Sequence, residues 1–286
     1  MIIVTGATGA LNGATVDYLL ERVPASEIVV AVRDVAKAHR FADLGIEVRH
    51  GDYSDAASLP AAFDGADQLL LVSSSDPYAD AVALHRAAID AAVTAGVGRI
   101  LYTSHQGAAA TTPFGPGRDH FETEQLLAES GVAWTSLRNG FYAHSLNWSM
   151  GDWRETGVVA VPLDGPMSWT AREDSAEAAA VILASNGGYD GPVTLTAKSA
   201  LTFGEIATIA SAVSGRTVTA SALGEEAWLA AQLAAGNPEG MSRFMLGMYQ
   251  AAHEGYFAGT DPLLETLLER EPRTVRELLE QPVAAH

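Results

Sequence analysis

Cysteine is absent from this chain of 286 residues, and lysine is nearly so, occurring only as Lys37 and Lys198. Without cysteine the protein has no disulfide bond, no thiolate metal site and no cysteine nucleophile. No stretch approaches the roughly 18 consecutive apolar residues that a membrane helix requires. The N-terminus shows no basic segment ahead of an apolar one, as a signal peptide would. We therefore expect a cytoplasmic protein without membrane insertion.

Positive charge is also scarce. Lysine and arginine together number 17 against 35 aspartates and glutamates, which gives a formal net charge of −18 at pH 7. Binding to nucleic acid requires a basic surface that covers several phosphates, so this composition argues against nucleic acid as a partner. An acidic surface does not attract anionic membranes either. A local basic pocket for one phosphorylated ligand remains compatible with the composition.

The first 140 residues alternate short β-rich runs with helical stretches. The β-rich runs are residues 2–5, 28–32, 47–50, 69–72, 99–102 and 134–137, and the helical patterns are residues 13–22, 35–44, 56–64, 79–96 and 118–130. Strands that alternate with helices form right-handed βαβ units, and hence a parallel sheet with helices on both faces. We expect an α/β fold with a Rossmann-type, doubly wound parallel sheet.

The pattern changes after about residue 140, where aromatic residues precede a helical stretch at 174–186 and a strand-like segment at 193–196. Further on, Thr202 and Glu205 have the spacing of a helix-capping box. We expect a Rossmann domain of residues 1–140, to which 170–190 returns, and a smaller, mostly helical C-terminal lobe of residues 141–169 and 191–286.

The first turn between a strand and a helix has the form of a dinucleotide-binding loop. Its sequence, TGATGALNGATV over residues 5–16, places Gly6 where the chain must turn sharply and Gly9 where the backbone can approach a pyrophosphate. Asn12 stands at the third glycine position, and its side chain is a candidate phosphate contact. The alternative is an ordinary turn without a ligand. The candidate cofactor residues of this loop are Gly6, Thr8, Gly9, Ala10, Leu11 and Asn12.

The end of the second strand indicates which dinucleotide binds. An acidic residue there favours the free ribose of NADH, whereas an arginine accommodates the 2′-phosphate of NADPH. Arg33 comes first, Lys37 lies one turn further, and Asp34 is better explained as a helix N-cap. We therefore expect NADPH rather than NADH, with Arg33 and Lys37 on the phosphate. The alternative is a solvated Arg33–Asp34 pair.

Polar residues follow the third and fourth strands as well. Asp52 and Tyr53 come after the third strand, where an aspartate can accept a hydrogen bond from the adenine amino group. The candidates after the fourth strand, beside the expected path of the pyrophosphate and ribose, are Ser73, Ser74 and Ser75. Each group could equally consist of ordinary turn residues.

Six segments occur in an order typical of one protein family: TGATGAL, AVRDVAKA, VRHGDY, LLLVSSS, RILYTS and SLRNGFY. The sequence resembles the NmrA-like atypical short-chain dehydrogenase/reductases over most of residues 1–215, and within them the group of bacterial type 2 quinone oxidoreductases and triphenylmethane reductases. The resemblance implies bound NADPH with Arg33 on its 2′-phosphate. It also implies a nicotinamide near Thr103, Ser104, Asn139, Phe141 and Tyr142. Asn12 stands where the family has glycine.

The usual catalytic pair of short-chain dehydrogenases is missing. These enzymes use a Tyr-x-x-x-Lys pair, whose lysine lowers the tyrosine pKa, but neither Lys37 nor Lys198 lies four residues after a tyrosine. A quinone or a cationic conjugated dye spreads the incoming charge over its own π-system and needs mainly orientation. We therefore expect an aromatic or quinoid small-molecule substrate.

The candidate proton donors are Ser104, His105 and Tyr142, while His120 and His144 are weaker candidates. An unperturbed histidine titrates near neutrality, which suits His105 to acid catalysis. The alternatives are a loop histidine at His105 and an aromatic wall at Tyr142. The aromatic residues Phe141, Tyr142, Trp148, Trp153 and Trp169 form either a core patch or a pocket for a planar ring. No group of residues has the spacing of a metal site.

Three functions remain open from the sequence. The first is an NADPH-dependent oxidoreductase that transfers hydride to a conjugated acceptor. The second is a non-catalytic redox sensor of the NmrA type, which binds NADP(H) and a protein partner. The third is a secondary-pathway reductase or isomerase that uses His105 or Tyr142 as an acid. We expect a monomer or a homodimer.

Overall fold

The computed structural model describes residues 1–74, 76 and 79–280. Ser75, one of the candidate cofactor residues, therefore lies outside the described part. The chain divides into two compact units. The first consists of Met1–Ala108, Asp119–Arg138 and Glu173–Val193, and the second of Ala109–Arg118, Asn139–Arg172 and the residues from Thr194 onward.

A seven-stranded sheet forms the centre of the first unit, with the strand order β3-β2-β1-β4-β5-β6-β8. Its strands, numbered along the chain, are β1 Ile2–Thr5, β2 Ile28–Val32, β3 Glu47–His50, β4 Gln68–Leu71, β5 Arg99–His105, β6 Ala133–Asn139 and β8 Gly191–Leu195. The four pairings among β1 to β5 are parallel. The predicted Rossmann-type sheet is confirmed. Because β1 pairs with both β2 and β4, the chain reverses its winding direction at β1, where such sheets bind ligands.

Helices flank this sheet. They are α1 Ala10–Leu20, α2 His39–Asp43, α3 Leu59–Phe63, α4 Ala81–Thr94, α5 Gly115–Glu129 and α8 Arg172–Ala184, with short 3-10 segments at Ala25–Glu27, Val35–Ala38 and Ala56–Ser58. Every residue of β1, β2 and β4 is buried. Strands covered on both faces are apolar throughout rather than alternating. Burying each large aliphatic side chain stabilises the unit by about 1.5–3 kcal/mol.

The second unit is mostly helical. Its helices are α6 Leu146–Ser149, α7 Trp153–Thr156, α9 Phe203–Ser214, α10 Glu225–Ala234, α11 Glu239–His253, α12 Leu263–Leu268 and α13 Val275–Glu280, and a 3-10 segment spans Ala143–Ser145. The predicted capping box at the start of α9 is confirmed, since Thr202 and Glu205 each bond the other's backbone N–H. A two-stranded parallel sheet of β7 Val158–Val161 and β9 Thr219–Ala222 was not predicted.

Aromatic rings fill the core of the second unit. Phe141 contacts Trp169 edge-on at 5.3 Å between ring centroids, and Trp169 contacts Phe203 at 5.7 Å. Trp153 is buried in the same cluster. Trp148, by contrast, is 48% exposed. Phe141, Trp153 and Trp169 therefore form a core patch, whereas Trp148 is exposed and does not belong to it.

None of the helices in the described ranges has the length and apolar character needed to span a membrane. The same ranges contain no cluster of three histidine, aspartate or glutamate side chains that could hold a metal ion.

Candidate functional site

A cavity of about 410 Å³ lies at the carboxyl ends of β1 to β4. It is lined by residues that follow four different strands, which is the expected ligand position in a doubly wound sheet. The predicted cofactor residues that line it are Gly6, Thr8, Gly9, Arg33, Asp52, Tyr53, Ser73 and Ser74. The fold thus brings eight of the seventeen predicted cofactor residues together around one cavity.

The glycine turn after β1 leaves a helix terminus open to an anion. Gly6 has φ +61°, and a Cβ there would lie 2.6 Å from Cγ1 of Val72, so no other residue fits. Gly9 is the N-cap of α1 without a side-chain cap, and no acidic residue occupies the first turn. The first N–H groups of the helix, those of Ala10 and Leu11 among them, therefore lack an intrahelical acceptor and form the positive end of the helix dipole. A phosphate oxygen is a suitable acceptor for them.

Asn12 does not point to this cavity. Its side chain is 1% exposed, and its Nδ2 donates a 2.8 Å hydrogen bond to the Thr5 carbonyl. The close helix packing that a third glycine would allow is supplied by Gly13. A Cβ on Gly13 would lie 2.9 Å from the Ala7 carbonyl oxygen and 3.0 Å from Nη2 of Arg40. In the sequence, Gly13 comes one residue after the third glycine position of the loop. Its role in helix packing could have been inferred from that position.

Among the described residues that line the cavity, Arg33 is the one that carries a positive charge. The predicted cap at Asp34 is confirmed, because its carboxylate accepts the Ala36 N–H at 3.1 Å. Lys37 lies 3.6 Å from the Asp34 carboxylate, and both side chains are exposed. Lys37 does not line the cavity, so of the two predicted phosphate contacts Arg33 alone lies beside this space.

Asp52 and Tyr53 form the wall after β3. The Asp52 carboxylate accepts hydrogen bonds from the Ser54 N–H at 2.9 Å and the Ser54 hydroxyl at 2.8 Å. Burial alone would raise the pKa of Asp52, but these bonds and the charge of Arg33 outweigh it and lower the pKa. Burial raises the pKa of Tyr53, whose hydroxyl lies 2.7 Å from Oγ1 of Thr5. Asp52 therefore remains an anionic acceptor and Tyr53 a neutral wall residue.

The loop after β4 is held by buried side chains behind it. The Ser73 N–H donates to Oγ1 of Thr103 at 2.8 Å, and the Ser74 N–H donates to Nε2 of His85 at 2.8 Å. Thr103, a predicted cofactor residue, does not line the cavity and instead supports Ser73. His85 had not been identified from the sequence, since a histidine inside an amphipathic helix carries no distinguishing signal.

His85 is a neutral acceptor. Because Nε2 accepts from Ser74, the ring proton lies on Nδ1, which is 2.8 Å from Oγ1 of Thr123. Burial lowers the pKa of His85 to about 4, so the ring stays uncharged at neutral pH and keeps its acceptor.

Ser104 contributes to a buried carboxylate cluster. Its hydroxyl donates to Oε1 of Glu124 at 2.8 Å, and the same carboxylate accepts from the Ser136 hydroxyl and from Arg138. Glu124 is 2% exposed and Ser104 is 4% exposed. The Ser104 hydroxyl is thus committed to Glu124 and is not available as the predicted proton donor.

His105 does not titrate near neutrality, so that expectation was wrong. Desolvation lowers the pKa of His105 to about 4. Its Nδ1 accepts the Gly107 N–H at 3.0 Å, which places the ring proton on Nε2. His105 stacks on His120 at 6.2 Å between centroids, and His120 Nδ1 lies 2.8 Å from the Tyr102 hydroxyl. His105 is a neutral, half-buried ring that packs against a second half-buried histidine.

The remaining candidates lie in the second unit. Asn139 donates from Nδ2 to the Tyr142 hydroxyl at 3.2 Å, so the tyrosine proton is not used in that bond. Burial raises the pKa of Tyr142 to about 12, although Asn139 and Arg172 act in the opposite direction. His144 contacts Arg172 through Nε2. Phe141 is 9% exposed and packs in the aromatic core.

Comparison with known proteins agrees with this geometry. The chain is 38% identical over 279 residues to quinone oxidoreductase 2 of Escherichia coli K12, covering 97% of this chain and 96% of that protein. The crystal structure of an Escherichia coli NADPH-dependent quinone oxidoreductase with NADPH has a TM-score of 0.91 at 37% identity, covering 98% of both chains. The triphenylmethane reductase of Citrobacter sp. with NADP(H) gives 0.88 at 33% identity, covering 98% and 99%. Residues 1–280 match the NmrA-like family, and the chain belongs to that family, as its motifs predicted.

Proposed function

We propose that this protein is an NADPH-dependent oxidoreductase that transfers hydride to a quinone-like or other conjugated, electron-poor acceptor. The observation that carries the proposal is the cavity in which the uncapped N-terminus of α1 and the exposed Arg33 both face one ligand space. The relatives named as quinone oxidoreductase and triphenylmethane reductase, both solved with NADPH or NADP(H), support the same cofactor and acceptor class.

The residues present fit this cofactor. A pyrophosphate oxygen would accept from the free N–H groups at the start of α1, where Gly6 and Gly9 leave room for it. Arg33 would bind the 2′-phosphate, and the Asp52 carboxylate would accept from the adenine amino group. Ser73 and Ser74 would border the path of the ribose and pyrophosphate.

The chemistry follows from the pKa values of the candidate acids. NADPH supplies a hydride when bound, and a quinone that receives a hydride becomes a hydroquinone anion, which needs one further proton. His105 has a pKa of about 4 and Tyr142 one of about 12, so neither matches an acid that works near neutrality. Ser104 is bound to Glu124. An acceptor that carries the added charge itself and takes its proton from solvent suits this chain better than an isolated ketone.

Tyr142 remains useful as a neutral hydrogen-bond donor. Its hydroxyl accepts from Asn139 and retains its own proton. From the family resemblance we expect the nicotinamide near this residue. We propose that Tyr142 donates a hydrogen bond to the acceptor oxygen as negative charge develops there, without giving up its proton.

The two alternative functions have less support. The sensor hypothesis rested on Asn12 and on the missing catalytic pair, and the first of these grounds is removed, because Asn12 bonds the Thr5 carbonyl and leaves the start of α1 open. The isomerase or reductase hypothesis uses His105 or Tyr142 as an acid, and the pKa of each lies far from neutrality.

The test is an acceptor screen with purified protein. Loss of NADPH absorbance is followed with benzoquinone, menadione and a cationic triarylmethane dye, and cyclohexanone serves as the isolated-ketone control. Turnover is expected with the conjugated acceptors and not with cyclohexanone. Bound NADPH, shown by its fluorescence, without turnover of any conjugated acceptor would contradict the proposal. Preferential reduction of cyclohexanone would contradict it too.

A further inference from the structure

The second unit contains a cluster of four polar side chains that do not line the cofactor cavity. They are Asn139, Tyr142, His144 and Arg172. Backbone hydrogen bonds hold the two segments of this cluster together. The Thr170 N–H donates to the Phe141 carbonyl at 2.8 Å, and the Ala143 N–H donates to the Thr170 carbonyl at 2.9 Å. The fold therefore places Arg172 beside Tyr142 and His144, although 28 residues of chain separate it from His144.

The charge of Arg172 is not compensated within this cluster. Its guanidinium donates from Nη2 to Nε2 of His144. Because a guanidinium has no acceptor atom, the histidine nitrogen must be the acceptor, and the imidazole in this contact is neutral. The guanidinium also lies over the ring of Tyr142, 5.8 Å from its centroid. Neither partner is an anion, and within the described ranges Arg172 forms no ion pair with a carboxylate.

The positive charge of Arg172 acts at the Tyr142 hydroxyl. Both side chains are half-buried, so water screens their interaction less than it would at an open surface. Burial raises the pKa of Tyr142, and the charge of Arg172 opposes this effect because it favours a negative oxygen at that position. A ligand oxygen that becomes negative beside the same hydroxyl would be stabilised by the same charge.

One end of the Asn139 amide has no partner among the residues that the structure describes. Its Nδ2 donates to the Tyr142 hydroxyl at 3.2 Å, whereas its Oδ1 is buried and makes no hydrogen bond there. A buried acceptor of this kind calls for an explanation, and an N–H or O–H group of a bound molecule would provide one. Since Asn139 donates to the tyrosine hydroxyl, the proton of Tyr142 is left for an acceptor atom of the same molecule.

We propose that Arg172 and the Tyr142 hydroxyl form an oxyanion site, and that Arg172 makes the protein select acceptors that become anionic on reduction over acceptors that are cations. The family resemblance leads us to expect the nicotinamide near Tyr142. The assignment of the oxyanion to the acceptor therefore rests on the proposed function. The binding of an aromatic oxyanion by Arg172 and Tyr142 does not depend on that function.

Two classes of conjugated acceptor change their charge differently when they are reduced. Hydride transfer oxidises NADPH to NADP⁺ and adds two electrons and one proton to the acceptor. A quinone is neutral before this step and is a hydroquinone anion after it, until solvent supplies a second proton. A triarylmethane dye is a cation before the step and is neutral after it. Arg172 therefore stabilises the reduced quinone, whereas it repels the dye before reduction.

Arg172→Gln should have a different kinetic effect on each acceptor. With a quinone the interaction develops only in the transition state, so the rate at saturation should fall at least about tenfold while the half-saturating concentration stays unchanged. With the dye the repulsion acts before hydride transfer, so the half-saturating concentration should fall about tenfold and the rate at saturation should not fall. Single-turnover oxidation of NADPH measures both quantities. An equal loss of rate with both acceptors would overturn the selection by charge.

His144→Glu neutralises the charge of Arg172 without removing the arginine. His144 is exposed, and a glutamate at its position can pair with the guanidinium. This variant should repeat the kinetic pattern of Arg172→Gln, whereas a purely structural arginine would be held more firmly and both reactions would be unchanged. Arg172→Lys keeps the charge and should keep most of the quinone rate. Arg243→Gln is the matched control, since Arg243 is an exposed arginine of the same unit that pairs with Glu239. Thermal unfolding verifies that each variant is folded.

Binding of 4-nitrophenol tests the oxyanion site without turnover. Its yellow phenolate resembles a hydroquinone anion, and with NADP⁺ in place of NADPH no hydride is available. The bound probe should change from phenol to phenolate at a pH about one unit lower than the free probe, and Arg172→Gln and Tyr142→Phe should each reduce this shift. The neutral 4-nitroanisole should bind equally to the wild type and to Arg172→Gln. Absence of phenolate binding, or an equal shift in Arg172→Gln, would overturn the site.

The probe and the kinetics separate this proposal from the proposed function. If the probe ionises as expected but no acceptor is reduced, the proposed function fails and the oxyanion site stands. If quinone and dye are both reduced with rates and half-saturating concentrations that Arg172→Gln and His144→Glu leave unchanged, the proposed function stands and the selection by Arg172 fails.

Discussion

The backbone N–H of Ser74 donates to Nε2 of His85 over 2.8 Å, which ties a loop of the cofactor cavity to a buried, uncharged histidine. His85 is 1% exposed and is held from its other side by Thr123. The loop position therefore depends on this acceptor atom inside α4 and on Oγ1 of Thr103, which accepts the Ser73 N–H, rather than on contacts at the surface.

Replacing that acceptor should weaken cofactor binding. In His85→Leu the Ser74 N–H loses its partner, which costs about 1–3 kcal/mol for a buried donor or moves the loop. We expect the NADPH dissociation constant to rise about tenfold, measured by fluorescence titration. His85→Gln can still offer an oxygen and should lose less. His39→Leu, at an exposed histidine, is the control. Wild-type affinity in folded His85→Leu would show that Ser74 does not position the ligand.

The buried ring of His85 should also make the protein sensitive to acid. The folded-state pKa of His85 is about 4 against an ordinary 6.5. Between these values the unfolded chain binds more protons, so stability is complete above pH 6.5 and falls as the pH drops towards 4. The slope for one such group is about 1.4 kcal/mol per pH unit.

The measurement is urea unfolding of wild type and His85→Gln across this range. Fewer carboxylate charges at low pH act in the opposite direction in this acidic chain, so the difference between the two proteins isolates the histidine. The difference should shrink as the pH falls. A constant difference would mean that His85 is not buried as a neutral ring.

The features that the sequence could predict are those specified by residues close together in the chain. The fully buried runs of β1, β2 and β4, the turn at Gly6 and Gly9, and the caps at Asp34 and Thr202 are each specified by neighbouring residues, and they were found. These features depend on periodicity, on positive φ or on a side chain bonding its own helix. Contacts between distant segments do not enter into them.

What the sequence could not reveal depends on tertiary contacts. The strand β9 reads Thr-Ala-Ser-Ala and owes its conformation to pairing with β7. The roles of His85 and Glu124 follow from partners at Ser74, Ser104 and Ser136, which are 11 to 20 residues away along the chain. The lowered pKa of His105 arises from desolvation, which no spacing encodes.

Arg33 should decide between the two nicotinamide cofactors. Among the described residues that line the cavity, it is the one with a positive charge. A hydrogen bond to a charged group contributes about 1.5–3 kcal/mol. In Arg33→Glu we expect NADPH to bind at least about tenfold more weakly, with a much smaller effect on NADH. Lys37→Glu is the control, because Lys37 pairs with Asp34 outside the cavity. Equal losses of affinity for NADPH and NADH, measured by calorimetry, would contradict the predicted preference for NADPH.

Asn12 and Gly13 should differ in what they contribute. Asn12→Gly removes the bond to Thr5, at a cost of about 1 kcal/mol of folding stability, and should leave NADPH affinity within about tenfold. Gly13→Ala forces a Cβ to 2.9 Å from the Ala7 oxygen, and such overpacking costs about 1–3 kcal/mol. Thermal melts of both variants measure the loss of folding stability, and NADPH titrations measure the affinity for the cofactor. A larger affinity loss in Asn12→Gly would make the asparagine a ligand contact.

Tyr142 should promote quinone reduction by donating a hydrogen bond to the acceptor oxygen, and not by transferring its proton. With pKa values of about 4 at His105 and about 12 at Tyr142, neither of these two candidate acids changes charge near neutrality. The rate of quinone reduction should therefore vary little with pH around neutrality. Tyr142→Phe keeps the ring and removes the donor, so quinone reduction should fall by about tenfold, the kinetic equivalent of one such bond.

The nature of the acceptor provides the control for Tyr142. A cationic triarylmethane dye receives hydride at carbon and develops no negative oxygen, so its reduction should be nearly unaffected in Tyr142→Phe. Equal losses for quinone and dye would indicate that the hydroxyl organises the pocket rather than the developing charge. A bell-shaped pH–rate profile that disappears in His105→Ala would show instead that His105 is the acid, because a neutral histidine with a pKa of about 4 cannot produce that profile near neutrality.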